Sequence, residues 1–409
     1  MLDWKKVKSV FDGDLIVLGG GPAGVAAAIC AARAGLNVML IERYGFLGGQ
    51  ATGGYIVYLP CISDGTQVLT KGFFAELLDR LCQLGGVRRL APGDERSDLV
   101  LHAECLKFVL DSLVTEAGVE LRLHSFAIGV WQEEGPIAGV FLASKSGIQR
   151  ATAKYFVDAT GDADMAEWCG IPCRTRDASS GEANAVTTVY RLGNVDVDRA
   201  VSAAAGAGWG EVARQAMDTV GMKLQVLPTM IPGEVWCNNL HLFDIDATNA
   251  VDLTRAELTG RKRVQQALAF YRRHVPGFED CQLLETAPMI GVRESRLVVG
   301  EYVVTPSDLS SGRRFEDSIA KCGSWKATVS CDLPYRSLVS RKIPNLIFAG
   351  RCVSVSPEIV DYVRQIPTCS VVGQAAGLAV GVAIRKRSAL VDLEVKELQD
   401  MLRATGGVL

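Results

Sequence analysis

Buried-strand and helix patterns alternate at the start of the chain. Residues 14–20 (DLIVLGG) form a short apolar run that ends in glycine, which is typical of a strand buried on both faces of a parallel sheet. Residues 22–34 are rich in alanine and predict a helix, and Gly35 follows as its C-cap. Residues 36–42 (LNVMLIE) form a second apolar run. The pattern therefore predicts a βαβ unit.

Antiparallel strands are predicted next. A helix over residues 104–117 and a strand over 119–124 precede a region of short alternating runs, residues 126–149. Turn residues at 133–136 and 144–147 break these runs. This spacing is typical of an antiparallel meander.

The strand pattern is interrupted and later returns. Residues 155–160 predict a buried strand, but the composition becomes more polar after about residue 165 and includes an amphipathic helix over 253–274. Residues 345–350 resume the buried-strand pattern, and a long helix rich in alanine and glycine follows over 367–386. The sheet domain is therefore expected to be discontinuous.

The predicted fold class is α/β. It consists of a Rossmann-like nucleotide-binding domain with a parallel sheet and an antiparallel meander, interrupted by an inserted α+β substrate lobe. The predicted boundaries are 1–165 and 331–409 for the two parts of the sheet domain, and 166–330 for the inserted lobe. A chain of 409 residues can bury a large core in such an arrangement.

Composition excludes some partners and compartments. With 43 basic and 46 acidic residues, the chain has no positive excess with which to bind nucleic acid. Twelve cysteines without a CxxC pair favour a reducing compartment and predict no metal site. The N-terminal residues show no apolar secretory segment, so a cytoplasmic location is predicted.

Two uncharged stretches, residues 15–32 and 366–384, have nearly the length that a bilayer requires. The first contains three consecutive glycines followed by Pro22, and the second contains Pro367 and is rich in small residues. Both are therefore predicted to be buried inside the protein, and no membrane partner is expected.

A glycine motif lies between the first predicted strand and helix. Gly19, Gly21 and Gly24 have the GxGxxG spacing, although with 42 glycines in the chain about 0.4 accidental matches are expected. Their position at the end of a strand and the start of a helix, with Glu42 at the end of the next strand, favours a dinucleotide site over a ligand-free core turn.

Each motif residue has a physical role in such a site. Gly19 permits the tight turn, Gly21 lets the backbone approach the pyrophosphate, and Gly24 lets the helix pack on the strand. Glu42 is suited to accept hydrogen bonds from the ribose hydroxyls, and its charge disfavours the 2′-phosphate of NADP.

The stretch GGGPAGVAAAICAARAGLNVMLIERYGFLGGQAT resembles the N-terminal signature of FAD-dependent oxidoreductases of the glutathione-reductase structural group, which are related to the fumarate reductase and succinate dehydrogenase flavoproteins. The resemblance recurs at residues 158–172, 287–302, 333–338, 345–354 and 364–377.

This resemblance implies non-covalent FAD, because residues 43–54 contain no histidine for a covalent link. It also implies an Arg351 contact with phosphate, and a helix near Thr368 whose N-terminus points at the flavin pyrimidine edge. The residues assigned to FAD are Gly19, Gly21, Pro22, Ala23, Gly24, Glu42, Arg43, Gly49, Gln50, Ala51, Ala127, Thr160, Gly161, Asp162, Gly350, Arg351, Pro367, Thr368, Gly373 and Gln374.

Candidate catalytic residues come from the inserted lobe and its borders. They are His241, Arg293, Arg296, Tyr335 and Arg336. The arginines have the geometry to hold a carboxylate or phosphate or to polarise a carbonyl, and a histidine is suited to proton transfer. The alternatives are a structural histidine in a strand and an Arg293 that pairs with Glu294 or bridges the lobes. Asp361, Tyr362 and Arg364 are expected to line the same cavity.

The resemblance implies an FAD-dependent dehydrogenase, reductase or oxidase that transfers a hydride between flavin N5 and a small polar metabolite. The chain has neither a CxxxxC pair after the first helix nor a second dinucleotide motif, which disfavours a disulfide reductase with its own NAD(P)H domain. Two alternatives remain: non-redox or sacrificial chemistry of the thiazole-synthase kind, and an electron-transfer subunit. The electron donor or acceptor (oxygen, a quinone, NAD(P)H or a protein) and formation of a homo-oligomer are left open.

Overall fold

The structure is a computed structural model that describes residues 7–60, 62–175, 185–323 and 330–409. Its strands, in chain order, are β1 (Ser9–Leu18), β2 (Val38–Ile41), β3 (Tyr58–Leu59), β4 (Val87–Arg89), β5 (Leu99–Leu101), β6 (Glu120–Arg122), β7 (Phe126–Gln132), β8 (Ile137–Ser144), β9 (Gly147–Asp158), β10 (Cys173–Arg174), β11 (Val186–Thr187), β12 (Tyr190–Gly193), β13 (Val235–Cys237), β14 (His241–Leu242), β15 (Gln282–Thr286), β16 (Leu297–Val298), β17 (Ser318–Gly323), β18 (Ser330–Pro334) and β19 (Leu346–Phe348).

Helices pack on the main sheet and also form part of the inserted lobe. They are α1 (Pro22–Arg33), α2 (Phe73–Gln83), α3 (Ala103–Glu116), α4 (Asp164–Trp168), α5 (Val197–Ala204), α6 (Trp209–Val220), α7 (Ala250–His274), α8 (Pro306–Ser310), α9 (Val360–Val363), α10 (Ile366–Lys386) and α11 (Val395–Ala404).

The main sheet has the order β6–β2–β1–β9–β8–β7, and β19 lies beside the end of β9. Strands β6, β2, β1, β9 and β19 are parallel, whereas β7 and β8 continue antiparallel from β9. The predicted α/β class, with a parallel sheet and a meander, is confirmed. The last meander strand and the strand predicted at 155–160 are one continuous strand, because the first half of β9 pairs with β8 and its last three residues pair with β19.

Helices α1 and α10 pack at unusually close range. A Cβ atom on Gly373 would overlap the carbonyl oxygen of Ala23, and one on Gly377 would overlap that of Ala27. Glycine at these two positions therefore lets the helix backbones approach. Helix α10 is long and apolar enough to cross a membrane, but its apolar stretch is entirely buried inside the protein.

The inserted lobe has its own hydrophobic core. Large buried side chains such as Tyr190, Tyr271 and Phe278 fill it, and its members span residues 190–281. Leu297 in β16 and Ile319 in β17 pack instead in the main core. The lobe boundaries at residues 166 and 330 stay predictions.

Candidate functional site

A cavity of about 660 Å³ opens beyond the carboxyl ends of β1, β2, β9 and β19, the edge at which open α/β sheets bind ligands. The inserted lobe lines its other side, through residues such as Thr187, Trp236 and Asn238. Residues assigned to FAD from the sequence that line the cavity are Gly19, Gly21, Pro22, Ala23, Glu42, Arg43, Gly49, Gln50, Ala127, Thr160, Gly161, Asp162, Gly350 and Arg351.

The glycine motif has the geometry that its spacing predicts. Gly19 has a φ of 99°, a left-handed conformation that favours glycine. A Cβ atom on Gly24 would overlap the carbonyl oxygen of Gly19, so Gly24 is required for α1 to pack against the turn. A Cβ atom on Gly21 would meet no heavy atom within 4 Å, and this residue borders the cavity. Gly21 therefore leaves open the space that a pyrophosphate needs.

Glu42 ties the end of β2 to the glycine turn. Its Oε2 accepts a hydrogen bond from the Gly20 amide at 2.7 Å, and its Oε1 accepts one from the Tyr44 amide at 2.9 Å. Burial raises the pKa of the Glu42 carboxyl, and the two amide hydrogen bonds oppose this shift. Because a carboxylate has about four acceptor positions, the group retains capacity for the ribose hydroxyls.

The loop after β2 that contains residues 48–52 closes over the glycine turn. Gly49 has a φ of 51°, and a Cβ atom on it would lie 2.9 Å from the Gly21 Cα. The Gln50 Nε2 donates to the Ile290 carbonyl oxygen at 3.1 Å, while the buried Gln50 Oε1 has no hydrogen-bond partner among the described residues. Ala51, also assigned to FAD, is buried in the main core and does not line the cavity.

Asp158, at the end of β9, organises the loop that follows. Its side chain is fully buried, and it accepts hydrogen bonds from the Thr160 amide and hydroxyl and from the amides of Met165 and Ala166 in α4. Burial raises the pKa of the Asp158 carboxyl against the lowering effect of these donors. Asp158 therefore fixes the loop through Asp162 that lines the cavity.

Arg351 lies at the cavity, where the resemblance implied a phosphate contact. Its Nη2 pairs with the Asp162 Oδ1 at 2.7 Å, and its Nη1 donates to the Ser295 hydroxyl at 3.0 Å. The Ser295 hydroxyl in turn donates to the same Asp162 oxygen at 2.7 Å. The charge of Arg351 is thus already balanced by a carboxylate, and its phosphate contact stays a prediction.

Residues assigned to FAD that do not line the cavity are Gly24, Ala51, Pro367, Thr368, Gly373 and Gln374. At the start of α10, Gln365, Ile366 and Cys369 border the cavity instead. Gln374 lies two turns farther on: its Oε1 accepts from the Phe73 amide at 2.9 Å, and its Nε2 donates to the Thr405 hydroxyl at 2.7 Å. The N-terminus of α10 is therefore at the cavity, as predicted. Gln374 lies on another face of this helix, which packs against α2 and the end of α11.

Replacing Gln374 tests this packing role. We expect Gln374→Leu to lower the free energy of unfolding by about 1–3 kcal/mol, because the buried Phe73 amide loses its acceptor. FAD affinity and the visible flavin spectrum are expected to stay as in the wild type. Chemical denaturation and FAD titration measure the two effects, and weaker FAD binding at unchanged stability would contradict the assignment.

Tyr335 and Arg336 do not reach the cavity, which removes the basis for their predicted catalytic roles. The Tyr335 side chain is buried, and its hydroxyl donates to the Leu390 carbonyl oxygen at 2.8 Å. Arg336 makes two hydrogen bonds to Asp317, at 2.9 and 3.1 Å, on the surface of the sheet domain. Tyr335 therefore serves packing in the main core, whereas Arg336 forms a surface ion pair with Asp317.

Arg296 supports the loop after β9. Its Nε donates to the Asp162 carbonyl oxygen at 2.8 Å, and its Nη2 pairs with the Asp164 carboxylate at 2.6 Å. Asp164 itself lines the cavity, and burial is the main reason that its pKa is raised to about 6, with nearby Asp158 contributing. Arg296 therefore holds this loop and does not itself line the cavity.

Arg293 and His241 are brought together at the inserted lobe. Arg293 lines the cavity, and its Nη2 lies 3.2 Å from the His241 Nε2. Burial first, and then the positive charge of Arg293, lowers the pKa of His241 to about 4. The histidine is therefore neutral at physiological pH and acts as a hydrogen-bond acceptor toward the arginine.

An aromatic wall was not singled out from the sequence. Tyr58 and Trp236 stack with ring centroids 5.0 Å apart, and both line the cavity. The Trp236 Nε1 donates to the Tyr55 carbonyl oxygen at 2.5 Å. Because one ring comes from the sheet domain and the other from the lobe, no local pattern pairs them. A tryptophan in a polar stretch was the one available signal.

The residues present fit a dinucleotide cofactor. Gly21 leaves an open cradle at the N-terminus of α1, where unpaired amides favour phosphate. The buried Oε1 of Gln50, a residue that lines the cavity, has no partner among the described residues, as expected of an atom next to a polar ligand.

The chain matches the family model described as FAD dependent oxidoreductase over residues 14–402. It is 26% identical over 200 residues to the digeranylgeranylglycerophospholipid reductase of Thermoplasma volcanium, covering 45% of this chain and 48% of that protein. It is also 27% identical over 177 residues to the thiamine thiazole synthase of Methanococcus aeolicus, covering 40% and 60%. The chain thus spans about half the length of the first of these curated relatives.

Solved flavoprotein structures share the fold. A geranylgeranyl bacteriochlorophyll reductase-like protein from Thermoplasma acidophilum superposes with a TM-score of 0.51 at 16% identity, covering 96% of this chain and 84% of that one. The flavin-dependent brominase Bmp2 superposes with a TM-score of 0.53 at 12% identity, covering 97% and 84%. These identities support the fold alone. The match over residues 14–402 decides the family: this chain is an enzyme of the FAD-dependent oxidoreductase family, with FAD as its cofactor.

Proposed function

We propose that this enzyme transfers a hydride between FAD and a small polar metabolite that binds between the sheet domain and the inserted lobe. The observation that supports this proposal is a single cavity lined both by the FAD-assigned turn at Gly19 and Gly21 and by Trp236, Asn238 and Arg293 on the lobe side. A cofactor and a substrate that share one cavity are able to meet directly.

Bound FAD supplies the hydride or electron transfer. The chain itself binds and orients: Tyr58 and Trp236 form a wall that excludes water, and Arg293 offers a positive charge to a polar group of the substrate. His241 is poorly suited to general acid catalysis near pH 7, because its pKa is about 4 and its Nε2 faces Arg293. Its role in this proposal is therefore to orient Arg293.

Anaerobic reduction tests the function. We expect the purified enzyme to carry the visible spectrum of a flavin. We also expect an organic substrate to reduce the oxidised flavin or to reoxidise the photoreduced flavin, and to do so again after an added electron acceptor or donor has restored the starting oxidation state. The photoreduced enzyme is then mixed with oxygen, a quinone or NAD(P)⁺ to identify the electron partner.

Three results would contradict the proposal. Consumption of a protein group after one turnover would indicate sacrificial chemistry. Flavin reduction only with a second protein present would indicate an electron-transfer subunit. A purified protein that binds no FAD would remove the basis for any flavin reaction.

A further inference from the structure

We infer that the substrate carries a carboxylate on a planar or apolar body, that Arg293 binds this carboxylate, and that His241 is the residue that positions Arg293. The inference rests on the proposed function, because it names the class of substrate for the same cavity. Three independent observations support it: the charge balance of the cavity, the contacts of the guanidinium, and the aromatic wall beside it.

Arg293 differs from the other arginines that line the cavity. Arg351 pairs with Asp162 at 2.7 Å, and Arg364 pairs with Asp361 at 2.7 Å. Arg43 lies on the exposed surface and is free to interact with water. Arg293 is partly buried, and within the described ranges no carboxylate lies in salt-bridge contact with it.

The contacts of the Arg293 guanidinium are with neutral groups. Its Nη1 donates to the Ala185 carbonyl oxygen at 3.0 Å, and its Nη2 faces the Asn238 Oδ1 at 3.4 Å and the His241 Nε2 at 3.2 Å. A guanidinium carries five N–H donors in a planar fork. The Arg293 Nε makes no hydrogen bond to the residues that the structure describes, so part of the fork remains for a ligand.

A partly buried and unbalanced charge is costly unless a ligand balances it. Burial, together with repulsion from Arg364, lowers the pKa of Arg293 to about 10, while the negative charge of Asp361 acts in the opposite direction. Arg293 nevertheless stays protonated near pH 7. A carboxylate that accepts a charge-assisted hydrogen bond from the free Arg293 Nε–H would supply the missing charge.

His241 orients this charge without adding another one. Because Arg293 donates to its Nε2, the ring proton is assigned to Nδ1. Arg263 secures the segment by donating to the His241 carbonyl oxygen at 2.6 Å, and β14 pairs with β11 through Thr187. A neutral acceptor on a fixed strand limits the rotation of the guanidinium.

The aromatic and apolar residues next to Arg293 indicate that the rest of the substrate is planar or apolar. Trp236 precedes Asn238, which contacts Arg293, by two residues, and its ring stacks on Tyr58. Met289 and Ile290 line the same cavity. Flat aromatic and apolar surfaces next to a cation that has no carboxylate partner among the described residues suit an unsaturated or aromatic acid better than a sugar or a polyol.

The test measures binding to the FAD-loaded enzyme and does not require turnover. The probes are benzoate and acetate, with benzamide and acetamide as uncharged partners, followed by the flavin spectrum and by calorimetry. We expect benzoate to bind in the millimolar range or tighter and more tightly than benzamide. Arg293→Gln should lower benzoate affinity about tenfold to a hundredfold and leave benzamide affinity unchanged. The matched control is Arg336→Gln, which removes a surface arginine and should change neither affinity.

Two His241 variants separate positioning from folding. His241→Gln retains an acceptor and is expected to keep benzoate affinity near the wild-type value, whereas His241→Leu should weaken it several-fold. Benzamide binding and thermal stability are measured for both variants. Equal losses in the two variants, or parallel losses for benzoate and benzamide, would indicate a structural role and overturn the positioning assignment.

The carboxylate assignment fails if the wild type binds neither acid in the millimolar range, if it binds benzamide as tightly as benzoate, or if Arg293→Gln retains benzoate affinity. A shift of flavin reduction potential in Arg293→Gln without loss of benzoate binding also overturns it, because the charge would then serve the cofactor. Failure of the proposed function looks different: carboxylates would still bind through Arg293, but no organic substrate would oxidise or reduce the flavin.

Discussion

A Gly21→Ala enzyme is expected to fold normally and to lose about a hundredfold in FAD affinity. The added Cβ meets no protein atom within 4 Å, and the backbone of Gly21 has a φ of −72°, which any residue adopts. Folding therefore has no reason to suffer. The same methyl group occupies the space left for the pyrophosphate, and a hundredfold loss corresponds to about 2.7 kcal/mol.

Gly24→Ala is expected to lower folding stability, which Gly21→Ala leaves unchanged. Its Cβ would overlap the carbonyl oxygen of Gly19, so the turn or α1 must move, at a cost of about 1–3 kcal/mol or more in folding free energy. Thermal unfolding without FAD, together with FAD titration by fluorescence, separates the two variants. Gly210→Ala, at an open position in α6, is the control and should leave FAD affinity unchanged. A Gly24→Ala protein as stable as the wild type would contradict the packing assignment.

The second large effect is expected at Asp158. Asp158→Ala removes the acceptor of four hydrogen bonds from a fully buried position. The donors left unsatisfied are the Thr160 amide and hydroxyl and the amides of Met165 and Ala166. We expect the free energy of unfolding to fall by about 3 kcal/mol or more, because each buried unsatisfied group costs about 1–3 kcal/mol. FAD affinity should fall as well, since the Thr160 to Asp162 loop loses its anchor.

Asp158→Asn retains the size of the side chain and should lie between the wild type and the alanine variant, because its amide nitrogen faces a backbone donor. Asp94→Ala removes a partly exposed carboxylate in a surface turn and serves as the control. Denaturation curves and FAD titrations give the measurements. Full FAD affinity in Asp158→Ala would show that the loop holds its conformation without the buried carboxylate.

Local sequence was sufficient for the dinucleotide half of the site. A buried strand, a tight glycine turn and a helix follow one another along the chain. The hydrophobic periodicity and the steric limits at Gly19 and Gly24 that define this unit can therefore be read from neighbouring residues. Glu42 follows from the same unit. These features predicted the fold class and a dinucleotide site, and the family resemblance implied FAD; the fold class and FAD are both confirmed.

For helix α10, the local sequence pattern was not enough to predict which residues face the cavity. The sequence identified the helix and the end that meets the cavity. It did not determine which face packs on α1, and so Gly373 and Gln374 were assigned to the cofactor although one contacts Ala23 and the other bonds Phe73 and Thr405. A uniformly apolar helix carries little information about its orientation, because all of its faces are buried.

Tertiary structure alone decided which residues line the lobe side of the cavity. Arg293, His241 and the Tyr58–Trp236 stack come from segments far apart in the chain, and their meeting depends on how the inserted lobe packs on the sheet domain. Tyr335 and Arg336 lie away from these residues, in contact with Leu390 and Asp317 respectively. The sequence by itself thus determined the glycine turn to which the cofactor is assigned, because short-range sterics and periodicity encode a βαβ turn. The folded chain decided which charges face the cavity, because charge balance is a property of residues brought together across it.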